Sequence, residues 1–200
     1  PYTTFKNLKE LCEENSMNFN EIITLYSLNN RFIWDKKSIP TKSDINNEFL
    51  KKYEKIKSTY SKLLDSYMPM FTNIFKELEN FPILLTANQG EEGDIVYIYG
   101  NSWIKGENES TSIIDRENIS GRIGIVSMTS GMVKKLSWDK NDGYYVIIET
   151  SSNTQYYYLH LESIELDLKV GDIIEAGKLI GYMGNTGYKK SKTSKLVSLE

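Results

Sequence analysis

The 200 residues hold one histidine, His160, set in the aromatic run Tyr156-Tyr157-Tyr158-Leu159-His160-Leu161 that leads into a Val170-Gly171-Asp172 turn. A histidine placed this way in a hydrolytic site works beside a metal ion, moving a proton at the bound water. That metal needs partners. Catalytic zinc takes three protein ligands and keeps a further position open for water, and no second imidazole exists to help. The one cysteine, Cys12, excludes an internal disulfide and any multi-cysteine metal set. It falls on the apolar side of a predicted helix, which reads as a buried structural thiol rather than a nucleophile. Glu107, Glu109, Asp115 and Glu117 form an oxygen-rich stretch. Such a stretch suits a weakly held hard cation or, more simply, a solvated loop.

The totals narrow the classes. A hydrophobic fraction of 40% with 26% charged residues is ordinary for a soluble globular chain. The net charge is -3, and basic stretches have acidic neighbours, so nucleic acid is not an expected partner. No apolar run has membrane-spanning length and no signal-peptide pattern is present. Opening on Pro1, the chain reads as a fragment, with an upstream membrane anchor or export signal left open.

Two periodicities divide the sequence into a helical domain over residues 1–83 and a second domain over 84–200. In the first, Phe5, Leu8, Leu11 and Cys12 recur at helical spacing, and Asn18 with Glu21 resembles a capping box ahead of Phe19, Ile22, Ile23 and Tyr26. A long amphipathic segment carries Ile45, Phe49, Tyr53, Ile56, Tyr60, Leu63 and Tyr67. Its lysines, Lys51, Lys52, Lys55 and Lys57, read as a solvated face. Pro69 is expected to begin a fourth helix, since a first-turn position needs no amide donor. The expectation is a bundle of four helices.

From Leu84 to Gly121 the chain is polar, with one apolar run at Ile95–Tyr99. Beyond that the period falls to two. Thr129-Ser130-Gly131 and Ser151-Ser152-Asn153 are expected hairpin turns, and two short strands are expected around Ala176-Gly177. This half reads as a compact antiparallel β-domain, so the fold class is α+β.

The order of "SMTSGMV", "YYVIIETSSNTQYYYLHL" and "LKVGDIIEAGKLIGYMGNTG" resembles LytM-like (lysostaphin-type) zinc peptidases, with a core at about 102–199. The most specific pieces are Tyr158-Leu159-His160-Leu161 and Gly184-Asn185-Thr186-Gly187. The resemblance implies a barrel-sandwich hybrid β-domain and, in active members, cleavage of bacterial cell-wall peptide cross-links. The helical segment also resembles that of clostridial envelope proteins. Active members carry a histidine and, four residues on, an aspartate as zinc ligands, then a His-x-His pair on the closing strand. Here Asn108, Ser112, Leu196 and Ser198 stand at those positions, and His160 matches the remaining histidine. The implied member is degenerate, with zinc absent and His160 vestigial.

The resemblance therefore implies a catalytically inactive, extracytoplasmic module in the cell envelope or secreted, acting as a scaffold for a protein partner or peptidoglycan. Trp138, Tyr144, Tyr156 and Tyr158 are its candidate cleft contacts, unless alternation along the strands sends them into the core. The alternative is a zinc-dependent peptidoglycan endopeptidase with atypical ligands. A carrier domain modified at Lys178 is a third reading, which the Gly-Asn-Thr-Gly segment disfavours.

Overall fold

The computed structural model describes residues 9–28, 46–84, 96–100, 111–187 and 198–199. The chain divides into two compact units, with the change between Lys76 and Glu77.

The helical unit contains α1 (9–14), α2 (Phe19–Leu28), α3 (Asn47–Thr59) and most of α4 (Ser61–Glu77). Side-chain oxygens start two of these helices. Asn18 Oδ1 accepts from the amides of Asn20 and Glu21, and Asn46 Oδ1 from those of Glu48 and Phe49. Glu21 does not return the bond as a capping box would require. Its carboxylate instead accepts from the Tyr53 hydroxyl at 2.5 Å and pairs with Lys57 at 2.9 Å. The unit has its own core of Cys12, Ile22, Ile23, Leu25, Phe49, Tyr53 and Leu64. Burial, with Glu13 adding to it, lifts the Cys12 thiol to about 11, so it stays protonated and inert.

Two helical expectations need correction. The long segment breaks at Tyr60, which leaves the helical region at φ -112°, ψ 19° while its amide still donates to Ile56. Pro69 does not begin a helix; it lies inside α4. An interior proline costs about 3 kcal/mol. Leu64 and Phe75, on either side of it, join the core, and their burial offsets that cost.

The second unit is antiparallel β. Its strands are β1 (Ile83–Leu84), β2 (Val96–Gly100), β3 (Thr111–Asp115), β4 (Gly124–Val126), β5 (Gly131–Asp139), β6 (Gly143–Glu149), β7 (Gln155–Ile164), β8 (Ile173–Ile174), β9 (Leu179–Met183) and β10 (Ser198–Leu199). They form a seven-stranded sheet in the order β1-β4-β9-β7-β6-β5-β8 and a three-stranded sheet in the order β10-β3-β2. Ile113 of β3 and Leu199 of β10 share one core with Ile125, Val146, Ile148, Tyr158, Leu161 and Met183 of the large sheet.

The turn at Ser151–Asn153 does join a hairpin, β6 to β7, with Asn153 at φ 63°. Thr129-Ser130-Gly131 does not. β4 pairs with β1 and β9, whereas β5 pairs with β6 and β8. The backbone between them is already taken: Met128 accepts from the amides of Glu79 and Asn80, and its own amide donates to the Tyr158 hydroxyl at 2.8 Å. That segment carries the chain across the sheet rather than back along it. Among the described residues no helix is long and apolar enough to cross a membrane.

Candidate functional site

Strand β7 is irregular where His160 sits. Tyr144 pairs with Leu161 and Val146 with Tyr158, so Leu159 and His160 together oppose Tyr145 alone. This is a β-bulge, a device that bends a strand and re-aims a side chain. His160 takes φ 60° there, a left-handed conformation uncommon for a non-glycine residue, and it is only 4% exposed.

What holds it is a closed set of short bonds. The His160 amide donates to Asp142 O at 2.8 Å. Its Nδ1 lies 2.9 Å from Thr186 O. The Thr186 hydroxyl accepts from the Tyr144 amide at 3.0 Å and donates to Leu161 O at 2.6 Å. Thr186 thus ties the start of β6 to the bulge of β7. The turn ahead of β6 is pinned by Asp139, whose carboxylate accepts from the amides of Asn141 and Asp142; the bond from Asp142 and then that from Asn141 hold it below the usual carboxylate range.

Two glycines make this closure sterically feasible. Gly143 and Gly187 adopt φ 65° and 82° and lie against each other's segments. A Cβ on Gly143 would overlap the hydroxyl and carbonyl of Thr186, and one on Gly187 would overlap the Gly143 amide nitrogen. Backbone meets backbone where a side chain would stand.

The aromatic candidates separate by depth. Trp138 and Tyr144 face each other across β5 and β6 and are 54% and 42% exposed. Tyr144 adjoins the His160 cradle directly through its amide. Tyr158 is fully buried and its hydroxyl is spent on the Met128 amide, so it packs the core and has no surface to stack on a ligand. Tyr156 is partly buried, with its hydroxyl donated to Glu77 at 3.2 Å. Burial chiefly, and then the Glu77 charge, push its phenol well above the ordinary range.

Of the positions that the resemblance sets at the family's zinc ligands, Asn108 and Leu196 lie outside the described residues. Ser112 is buried on β3. Ser198 on β10 pairs with Ile114 of β3. Strand β10 also packs against β7, which carries His160.

Among the described residues, no three His, Cys, Asp or Glu side chains converge as a metal set. Asp115 closes β3 with its carboxylate out of solvent, but the oxygens are consumed. They accept from the Glu117 and Ile119 amides and from both Nε and Nη2 of Arg122, which also meets Glu117 at 3.6 Å. Burial raises the Asp115 carboxyl, and the Arg122, Ile119 and Glu117 bonds outweigh it, so the net position is below the usual range. The oxygen-rich stretch is, at Asp115 and Glu117, an arginine site.

Residues 114–197 match the model of peptidase family M23. The chain carries a LytM-like domain of peptidase family M23. The L-Ala–D-Glu endopeptidase of Bacillus subtilis is 33% identical to it over 64 residues, which is 32% of this chain and 20% of that protein. Lysostaphin of Staphylococcus simulans is 33% identical over 66 residues, 32% of this chain and 13% of lysostaphin. The chain thus spans a fifth or less of the length of these relatives. A crystal structure from Ruminococcus gnavus, assigned as a glycyl-glycine endopeptidase LytM, superposes with a TM-score of 0.60 at 26% identity, covering 91% of this chain and 71% of that one.

The M23 domain explains why His160, Gly143, Thr186 and Gly187 meet: they lie on the strands and turns the family match spans. Sequence reasoning singled out His160 and the Gly-Asn-Thr-Gly segment but missed Thr186 as the residue joining them. Its signal was a hydroxyl between glycines, with Asp142-Gly143 as the complementary turn.

Proposed function

We propose that this chain is a catalytically silent M23 module, an extracytoplasmic binding or scaffold element that engages a protein partner or the peptidoglycan of a bacterial envelope. One observation carries the reading. The only imidazole in the 200 residues is His160, and a peptidase zinc of this family needs a nitrogen-rich set of three ligands. Serine at position 112 supplies neither charge nor a nitrogen donor, and the one cysteine lies in the core of the other unit. The residues present do not fit zinc. Trp138 and Tyr144, exposed beside the cradle, are the side chains offered to a ligand.

The competing reading is an endopeptidase with atypical ligands, favoured by the similarity to enzymes at 33% identity. Metal analysis of protein purified without chelators, with a turbidity assay on purified cell walls, decides between them. The expected result is substoichiometric zinc, no clearing, and cosedimentation with walls or capture of an envelope protein that Trp138→Ala weakens. One zinc per chain together with lysis overturns the proposal.

A further inference from the structure

We propose that the connection from β7 to β8 is a docking ridge for a protein partner: Leu166, Val170 and Ile173 enter an apolar groove of that partner, and the carboxylates beside them meet its lysines or arginines. The connection contains none of the residues on which the zinc question turns. The inference therefore holds for a peptidase as well as for a silent module.

Exposure singles the ridge out. A lone apolar side chain at a surface is ordinary, whereas several together mark a place of contact. Leu166 is 93% exposed, Ile173 78% and Val170 61%, the three highest values among the large hydrophobic side chains of the described residues. All three fall within one run of eight residues. The same run reaches the core, since Leu168 is buried there and Ile174 follows it. Burial is thus open to this segment, and these three side chains still stand outside.

They stand on a braced frame. The Leu168 amide donates to Glu165 O at 3.2 Å, and the Asp172 amide to Lys169 O at 3.1 Å. The Asp172 carboxylate accepts from the Lys169 amide at 2.9 Å. Strand β5 grips the tip through Val133, whose carbonyl accepts from Gly171 at 2.9 Å and whose amide donates to Asp172 O at 2.8 Å. Ile173 then pairs with Met132 on β8, the last strand of the large sheet. A surface ordered before binding loses little conformational entropy in it.

Charge identifies the occupant. From 165 to 175 stand four carboxylates, Glu165, Asp167, Asp172 and Glu175, against one cation, Lys169. Such a rim repels a second copy of the same ridge and an anionic lipid surface alike. It favours a partner whose cations surround the groove, and it sets approach rate and register while apolar burial supplies the hold.

The test uses the whole chain and a probe of stated composition, a synthetic helix-forming peptide of leucine and lysine. One analogue replaces lysine by glutamate and another replaces leucine by alanine. In ¹H–¹⁵N spectra the leucine–lysine peptide is expected to shift the amides of 165–175, with binding that weakens as salt rises. The alanine analogue is expected to bind roughly tenfold or more weakly, and the glutamate analogue not at all. Leu166→Ser with Ile173→Ser is expected to lower affinity for the leucine–lysine peptide by roughly tenfold or more. Asp167→Asn with Glu175→Gln, both exposed, is expected to flatten the salt dependence. Shifts centred elsewhere, equal binding of the glutamate analogue, or an affinity indifferent to the serine pair overturns the proposal. So does self-association, or binding to phosphatidylglycerol vesicles, that the serine pair abolishes, because each gives the ridge a different occupant. Should Ile173→Ser disturb the sheet edge, Leu166→Ser makes the same comparison alone from a position between strands.

Discussion

At the scale of single residues, charge and hydrogen-bond type decide what the site can do. His160 is embedded rather than poised, and Asp115 is matched to Arg122 rather than to a cation. Asp115→Asn is expected to cost about 2–3 kcal/mol at neutral pH, the loss of charge-assisted bonds at a buried carboxylate. The sign with pH follows from its lowered pKa. The stabilisation is complete above the unfolded carboxylate range near about 4 and fades as pH falls through the folded value. Urea unfolding of both proteins down a pH series should show their difference shrinking in acid. A constant difference would remove Asp115 as the source.

At the scale of elements, regular features were legible and irregular ones were not. Alternation marked β5, β6 and β7, and the Ser-Ser-Asn turn marked their central hairpin, because those signals are local. The bulge at His160 was invisible, since no glycine announces its left-handed backbone. The hairpin expected at Thr129–Gly131 failed because residues far along the chain, Glu79, Asn80 and Tyr158, claim the Met128 backbone. Pro69 misled for a related reason: a local breaker yielded to core burial on both sides. Replacing it follows from that. Pro69→Ala restores a donor and relieves a clash in α4, and stability should rise by up to about 3 kcal/mol, read as a higher Tm. An unchanged or lower Tm would show that the helix uses its proline. Gly187→Ala should do the reverse, losing about 2–4 kcal/mol from a left-handed position with no space for a methyl group. Calorimetry would register it, and an unaltered melt would contradict the close approach of Gly143.

At the scale of the whole molecule, two separate cores, one helical and one antiparallel β, give the α+β class, and the function proposed for the chain turns on whether it holds zinc. A protein that binds zinc in its folded state is stabilised by that zinc through mass action. Neither added zinc nor EDTA is therefore expected to move the Tm of this chain. A rise of several degrees with zinc would reopen the enzymatic reading. The passage from one core to the other has a consequence of its own. Residues 77–84 are laced down throughout: Glu77 accepts from Thr150 and Tyr156, the Glu79 and Asn80 amides are bonded to Met128, Pro82 accepts from Val126, and Ile83–Leu84 pair with β4. A protease needs several residues of backbone drawn out straight in its groove, and this stretch has none to lend. Where the chain enters its second unit at Glu77, it does so without offering itself to be cut.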